Sequence, residues 1–180
     1  MTPQDESLFF TDPQVEPSIP GEFSTLYLLR RDAKSCLEYG IQWPGAMCVM
    51  AGIDLLGKFF DGSDSVAGSG ERFRTFAGKY LHLSASDSEA LYQLRNALLH
   101  SFGLFSATKT TNYQFQLRAE GNLAPIVEHL ANGIVKIDLL CLYHGFDAAV
   151  SEYRSDLRTT TNLQSSFDGM FPRYGKIPIR

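Results

Sequence analysis

The chain has 180 residues, of which 44% are hydrophobic and 12% are aromatic, and this is enough for one domain with a sizeable core. No stretch approaches the roughly 18 uninterrupted apolar residues that a membrane helix needs. The N-terminus also lacks the basic and apolar regions of a signal peptide. These features predict a cytoplasmic protein with no membrane partner.

The net charge of −4 is unevenly distributed along the chain. Residues 1–23 contain five acidic residues, four prolines and no Lys or Arg, which predicts an acidic N-terminal arm that is poorly ordered or loosely docked. The rest of the chain is close to neutral and therefore lacks the broad basic surface that duplex nucleic acids require. Any contact with a nucleic acid is therefore expected to involve only a small part of the protein surface.

Apolar residues at three- and four-residue spacing predict helices in the segment that follows the arm. Ser24 is the predicted N-cap of the first helix, and Pro44 fits the first turn of the second, where its missing N–H costs little. A Gly- and Ser-rich stretch at 62–70 is expected to be a flexible connector between the second and third helices. The four predicted helices cover approximately 24–40, 44–61, 73–80 and 86–103.

The pattern changes after the fourth helix. Tyr113, Phe115 and Leu117 alternate with polar residues, which predicts a β-hairpin over about 104–118. The longest helix is then expected to open at Asn122 or Leu123, and a shorter one to run through Ala148, Ala149 and Tyr153. The apolar stripe of the longest helix consists of Ile126, Leu130, Ile134, Ile137 and Cys141.

These elements predict a mainly α fold, a single-domain antiparallel helical bundle with a small β-hairpin insertion after the fourth helix. The helical domain spans 24–161, and 162–180 is expected to be a C-terminal strap. This strap carries aromatic and basic residues, so it can either pack its rings on the bundle, which is the favoured interpretation, or contact single-stranded RNA.

The cysteines and histidines do not form a recognisable metal or redox motif. Cys36, Cys48 and Cys141 are odd in number and widely spaced, which predicts reduced core thiols. The four histidines lack the paired spacing of zinc ligands, and the glycines of 62–70 lack the strand, loop and helix context of a phosphate-binding loop. No metal and no cofactor are therefore expected.

The densest set of reactive side chains is Arg95, Asn96 and His100, in the run LRNALLHSFGLF. A guanidinium and an imidazole within two helical turns can hold and cleave a phosphodiester. Asn96 and His100 are i, i+4 neighbours on a polar stripe. Arg95 points among leucines instead, about 140° from His100 at about 100° per residue. Both can reach one phosphate only through the length of the arginine, helix distortion or a second subunit.

A structural role accounts for the same three residues. A guanidinium on an apolar helix face must reach solvent or meet an acceptor, and Asp54, in the apolar segment of the second helix, is the predicted structural partner of Arg95. Asn96 and His100 would then satisfy only local hydrogen bonds. A short Arg and His spacing occurs often by chance, so the spacing alone leaves both roles open.

The motif and its surroundings resemble the HEPN superfamily, whose helical domains carry an Arg, commonly a polar residue next, and a His four to six residues beyond on a late helix. Arg95, Asn96 and His100 occupy these places as an R-x4-H motif. The resemblance to bacterial HEPN-type proteins extends over most of the chain, through the segments IDLLGKFF, RFRTFAGKYL, LYQLRNALLHSFGLF and FDAAVSEYRSDL.

The resemblance implies a homodimer in which the motif helices of two subunits line a shared cleft and form a metal-independent endoribonuclease site. Such a protein would act on RNA as a toxin or in stress or defence. His100 would accept the proton of a ribose 2′-hydroxyl or protonate the leaving oxygen, and Arg95 would hold the phosphate. Asn96 would orient His100 or donate to the phosphate. The products would be a 2′,3′-cyclic phosphate and a 5′-hydroxyl.

The resemblance also allows a second class of function. HEPN-like domains serve as noncatalytic dimeric interaction or regulatory modules, including partners of nucleotidyltransferase antitoxins. In such a module Arg95 would only stabilise an interface. The resemblance therefore implies a homodimer in either case, with RNA as the partner in the first and an antitoxin or another protein in the second.

Overall fold

The computed structural model describes residues 1–15, 22–121 and 125–178. Over these residues the chain forms seven helices and six strands, which belong to one four-stranded and one two-stranded sheet. The helices are α1 Pro3–Phe9, α2 Thr25–Glu38, α3 Gln42–Asp61, α4 Ser69–Tyr80, α5 Ala85–His100, α6 Leu139–Thr159 and α7 Thr161–Tyr174. The strands are β1 Glu22–Ser24, β2 Phe105–Ala107, β3 Asn112–Arg118, β4 Val127–His129, β5 Ile134–Asp138 and β6 Lys176–Pro178.

The fold is therefore α+β, and the prediction of a mainly α antiparallel bundle with one hairpin insertion is wrong. The error lies in the segment that follows the hairpin, where strands β4 and β5 replace the first part of the predicted longest helix. Those strands join the hairpin and turn it into half of a mixed sheet.

The four helices predicted before the hairpin are confirmed as α2 to α5. The Ser24 hydroxyl caps α2 by accepting a hydrogen bond of 3.1 Å from the backbone N–H of Tyr27, which satisfies one of the free donors of the first turn. Gly62 ends α3 in the left-handed region at φ 72°, where a residue without Cβ has no steric penalty. Such end signals are local, and they can therefore be predicted from sequence.

Helix α3 is the central helix of the core and contacts five other helices, α2, α4, α5, α6 and α7. Its residues Met50, Ile53 and Leu56 are fully buried. Gly52 allows the ring of Phe146 on α6 to lie directly against the α3 backbone. This packing fixes the position of α3 beside α5, where the predicted site residues lie.

The predicted start of the longest helix at Asn122 or Leu123 lies outside the described residues, and the segment that follows is not helical. Strands β4 and β5 pair antiparallel with Val127 opposite Ile137, and Gly133 in the turn between them has φ 81°. Branched apolar residues at three- and four-residue spacing also fit two short strands, where branching at Cβ is favoured.

The predicted hairpin is present as β2 and β3, which pair antiparallel. The strand order of the sheet is β2-β3-β5-β4, and β3 and β5 are parallel. The buried side chains of Phe115, Val135 and Ile137 are part of the hydrophobic core. Strands β2, β3 and β4 contact α5, so the sheet supports the helix that carries the motif.

Helix α6 begins directly after β5 and forms one long helix in place of the predicted shorter one. The Asp138 carboxylate caps it by accepting a hydrogen bond of 2.9 Å from the backbone N–H of Cys141. Its second oxygen accepts from the backbone N–H groups of Glu120 and Gly121, at 3.2 and 3.3 Å. One fully buried carboxylate thus links the sheet, the loop after β3 and α6.

The N-terminal segment packs more tightly than its composition predicts. Phe9 of α1 is fully buried, with its ring centroid 4.5 Å from that of Phe59. Glu6 accepts a hydrogen bond of 2.7 Å from Arg154 on α6. Residues 1–15 are therefore part of the core structure and not a loosely docked arm, because apolar Leu, Phe and Phe follow the acidic residues.

The C-terminal segment, expected to be a strap, forms helix α7 and strand β6. Phe167 on α7 is fully buried, and its ring stacks on that of Phe171 with the centroids 5.2 Å apart. Strand β6 pairs antiparallel with β1. The aromatic side chains therefore pack into the core. Among the described helices, none combines the length and apolar character needed to cross a lipid bilayer.

Candidate functional site

The motif residues lie at the C-terminal end of α5. The helix begins after the N-cap Ser84, whose hydroxyl accepts from the backbone N–H of Asp87 at 3.1 Å. Leu91, Leu94 and Leu98 anchor its buried face. His100 is the last helical residue, and it is exposed to solvent. The core thus fixes the helix and leaves its end open.

Arg95 makes three side-chain hydrogen bonds within the chain. Its Nη2 donates to Oδ2 of Asp54 at 2.7 Å, and its Nη1 donates to Oδ1 of Asn96 at 3.1 Å and to Nε2 of His100 at 2.8 Å. The Nε atom of Arg95 is buried without a partner. The structure therefore brings all four residues singled out from the sequence into one cluster.

The Arg95 contact determines the tautomer of His100. A guanidinium can only donate hydrogen bonds, so Nε2 of His100 must accept and cannot carry a proton in this contact. The contact therefore fits the tautomer that carries its proton on Nδ1. Proton uptake at Nε2 requires the Arg95 Nη1 contact to open.

Arg95 and His100 meet although their directions on the helix diverge. The distance between Nη1 and Nε2 is 2.8 Å. The contact forms because the long arginine side chain extends along the helix as far as His100, its last residue. Of the three routes considered from the sequence, the reach of the arginine is the one the structure uses. A single chain is enough for this contact.

The cluster opens into a cavity of about 230 Å³ between α3, α4, α5 and the loop over 62–68. Polar and charged side chains of Asp54, Lys58, Ser65, Arg72, Arg95 and His100 are among those that line it. Lys58 and Arg72 were not singled out from the sequence. The one available signal was the i, i+4 spacing of Asp54 and Lys58, which places both on one face of α3.

The loop over 62–68, expected to be a flexible connector, is held by side chains from two helices. Arg72 of α4 donates from Nη2 to the carbonyl oxygen of Ser65 at 2.6 Å. Asp64 accepts hydrogen bonds of 2.8 Å from Tyr174 and 2.7 Å from Arg173, both on α7. The bonds from Tyr174 and Arg173 lower the pKa of Asp64 below its ordinary value. The loop is therefore a defined wall of the cavity.

Two of the other three histidines form separate pairs with carboxylates. His82 contacts Glu152 and His129 contacts Asp87, at 3.0 and 2.9 Å. In the described ranges, no group of three or more His, Cys, Asp or Glu residues is arranged to hold a metal ion. The cavity itself is lined by one imidazole, two carboxylates and three basic side chains.

Phe102, two residues beyond His100, has an unusual backbone conformation. Its φ is 46°, a left-handed conformation that costs an L-residue about 1–2 kcal/mol, and 74% of its surface is exposed. Phe102 follows the C-cap Ser101 of α5, a position at which helices commonly end in the left-handed region, usually with glycine.

Comparison of the chain with protein-family models, with curated proteins and with solved structures found no match in any of the three.

Proposed function

We propose that the protein is a metal-independent endoribonuclease of HEPN type, with His100 as the proton-transfer residue. The observation that supports this proposal most directly is the contact of 2.8 Å between Arg95 and His100 at a cavity that basic side chains line. A neutral imidazole at a solvent-exposed helix end can take a proton from a ribose hydroxyl.

In the proposed reaction, RNA binding separates Nε2 of His100 from Arg95. Nε2 then accepts the proton of a ribose 2′-hydroxyl, the 2′-oxygen attacks the adjacent phosphorus, and the bond from phosphorus to the 5′-oxygen breaks. The 5′-oxygen takes up a proton and leaves as a hydroxyl. The other product carries a 2′,3′-cyclic phosphate. The freed Nη1 of Arg95 donates to the phosphate as its charge develops.

A second copy of the chain is part of the proposal, because one imidazole supplies one proton-transfer group while the reaction removes one proton and adds another. Two apolar side chains near the motif in space or in sequence are strongly exposed: Val66, which lines the cavity, is 90% exposed, and Phe102, two residues beyond His100, is 74% exposed. Contact with a second copy would remove such apolar surface from water. The histidine of the second copy would then protonate the leaving oxygen.

Cleavage of single-stranded RNA in the presence of EDTA tests the proposal. We expect His100→Ala to lower kcat by about 10²- to 10⁴-fold, the usual contribution of general acid–base catalysis. His144→Ala, at another exposed histidine, is the matched control and should keep full activity. Mass spectrometry of the products should find 2′,3′-cyclic phosphate ends. Metal-dependent cleavage, or equal activity of the His100 variant, would contradict the proposal.

The second candidate is a noncatalytic dimeric interaction or regulatory module. It is favoured by a specific observation, namely that Asp54 already neutralises Arg95 within the chain. Expression in a bacterial host distinguishes the two. Growth arrest that His100→Ala relieves supports a ribonuclease toxin, whereas a tolerated protein that copurifies with an antitoxin-like partner in both forms supports the module.

A further inference from the structure

Lys58 lies in the last turn of α3, one turn beyond Asp54, and lines the same cavity as Arg95 and His100. Its ammonium group lies over the ring of Tyr174, with Nζ 4.7 Å from the ring centroid. A cation–π contact of this kind restrains the long side chain without neutralising its charge. The contact therefore restrains the Lys58 side chain but provides no carboxylate partner for its ammonium group.

The other two basic side chains of the cavity are already engaged. Arg95 forms an ion pair of 2.7 Å with Asp54. Arg72 is bonded to the carbonyl oxygen of Ser65, and its Nη1 lies 4.0 Å from a carboxylate oxygen of Asp61. Each guanidinium thus has a carboxylate that competes with any incoming anion.

The carboxylates of the cavity are also engaged, and none of them pairs with Lys58. Asp54 is bound to Arg95 and Asp64 to Arg173, each with an N···O distance of 2.7 Å. Over residues 1–15, 22–121 and 125–178, Lys58 has no carboxylate within ion-pair distance. It therefore supplies the uncompensated positive charge of the cavity, and an anion can bind there without displacing an existing ion pair.

We propose that Lys58 is the residue that binds the phosphate of the bound substrate, and that Arg95 donates to the phosphate only as its charge develops during the reaction. This proposal rests on the proposed function and deepens it, since it assigns the binding of the RNA backbone to α3 and the stabilisation of the reacting phosphate to α5. An ammonium on a flexible stem with three donors suits a phosphate whose exact orientation varies along a single strand.

A structural role for Lys58 makes different predictions. A lysine in the last turn of a helix is stabilised by the helix dipole, and the contact with Tyr174 adds to this. If that were its whole role, its replacement would lower the melting temperature and leave RNA affinity unchanged. Affinity and its dependence on salt therefore separate the two roles.

The first experiment measures the binding of a single-stranded 2′-O-methyl RNA, which lacks the attacking hydroxyl and cannot be cleaved. We expect Lys58→Gln to weaken binding about tenfold or more, the usual contribution of a hydrogen bond to a charged group. The slope of log Kd against log salt should decrease by about 0.7, the value for one phosphate contact on a single strand. Lys58→Arg, which keeps the charge, should bind within about threefold of wild type.

Lys34→Gln is the matched control, because Lys34 is also a partly buried lysine on a helix but does not line the cavity. It should bind the 2′-O-methyl RNA as wild type does. Equal binding by the Lys58→Gln and Lys34→Gln variants would overturn the assignment of the phosphate to Lys58.

The second experiment separates binding from catalysis. We expect Arg95→Lys, which keeps the charge beside Asp54, to lower kcat at least 100-fold and to change the affinity for 2′-O-methyl RNA less than twofold. Lys58→Gln should do the reverse and raise KM with little loss of kcat. A loss of affinity in the Arg95 variant alone would overturn the division of roles. Wild-type protein that binds RNA through Lys58 but never cleaves it would remove the proposed function and keep the binding assignment.

A third measurement needs no variant, so it applies even if the Lys58→Gln protein does not fold. Acetylation of surface lysines in the wild-type protein, followed by mass spectrometry, reports how accessible each ammonium group is. Saturating 2′-O-methyl RNA should protect Lys58 at least fivefold and leave Lys34 unprotected. Equal modification of Lys58 with and without RNA would overturn the proposal.

Discussion

Asp54 on α3 accepts a hydrogen bond of 2.7 Å from Arg95 on α5, and this ion pair joins the central helix of the core to the helix that carries the candidate catalytic residues. The two side chains are 20% and 14% exposed, so water screens the pair only partly. The pair therefore links the stability of the fold to the geometry of the site.

We expect Asp54→Ala to lower the free energy of unfolding by about 2–4 kcal/mol, because it leaves the Arg95 guanidinium in a mostly buried place without its counter-charge. The double variant Asp54→Leu, Arg95→Met should recover most of that loss, since it removes both charges. Urea denaturation measures the free energy of unfolding of the single and the double variant. Asp32→Ala, which removes an exposed carboxylate paired with Arg31, is the control, and a change no larger than in this control would contradict the prediction.

The backbone strain at Phe102 gives a second prediction. Phe102→Gly should raise the free energy of unfolding by about 0.5–1 kcal/mol, because a glycine adopts positive φ without steric cost and the exposed phenyl ring contributes little burial. If the ring lies in the contact with a second copy, the same variant should weaken self-association, as measured by analytical ultracentrifugation. A variant that is less stable than wild type would show that the ring packs more closely than its exposure indicates.

The buried carboxylate of Asp138 predicts a dependence of stability on pH. Burial raises its pKa, but the backbone hydrogen bonds from Cys141, Gly121 and Glu120 outweigh burial and hold the pKa below the ordinary value of 3.8. The folded state thus binds the proton more weakly than the unfolded state. The stabilisation is complete above the unfolded pKa and is lost as the pH falls through the lower, folded pKa.

Unfolding measured between pH 2.5 and 5 tests this dependence. We expect Asp138→Asn to lower stability at neutral pH, since its NH₂ group cannot accept from the N–H groups that one carboxylate oxygen serves, and to reduce the slope of unfolding free energy against pH over the acid range, since the amide does not titrate. Glu38→Gln, at an exposed carboxylate near the end of α2, controls for the loss of one negative charge. An unchanged slope in the Asp138 variant would contradict the prediction.

Two glycines provide a matched test of the helix packing. Gly52 faces the ring of Phe146 at close contact, whereas Gly169 on α7 has open space where a Cβ would lie. Gly52→Ala should lower the free energy of unfolding by about 1–3 kcal/mol through overpacking. Gly169→Ala should raise it by about 0.5–1 kcal/mol, because alanine is the better helix former. Thermal denaturation measures whether each variant is more or less stable than wild type. A change in the same direction in both variants would contradict the packing of α3 against α6.

Local patterns were sufficient for part of the fold. Helices α2 to α5 and the hairpin follow from periodicity and from end signals such as Ser24 and Gly62, since these depend on neighbours in the chain. The stripe that includes Ile134 and Ile137 failed as a helix predictor, because its spacing fits both a helix and two short strands. The parallel pairing of β5 with β3 decided between them, and this pairing joins residues that are distant in sequence, such as Gln114 and Ile134.

The sequence by itself determined that Arg95, Asn96 and His100 lie together near the end of one helix, because residues within two turns of a helix have a fixed relation. Tertiary structure alone decided that Arg95 reaches Nε2 of His100, that Lys58 and Arg72 line the same cavity, and that Lys58 has no carboxylate partner among the described residues. These properties depend on how α3, α4 and α5 pack, and packing is set by contacts across the core that no local pattern encodes.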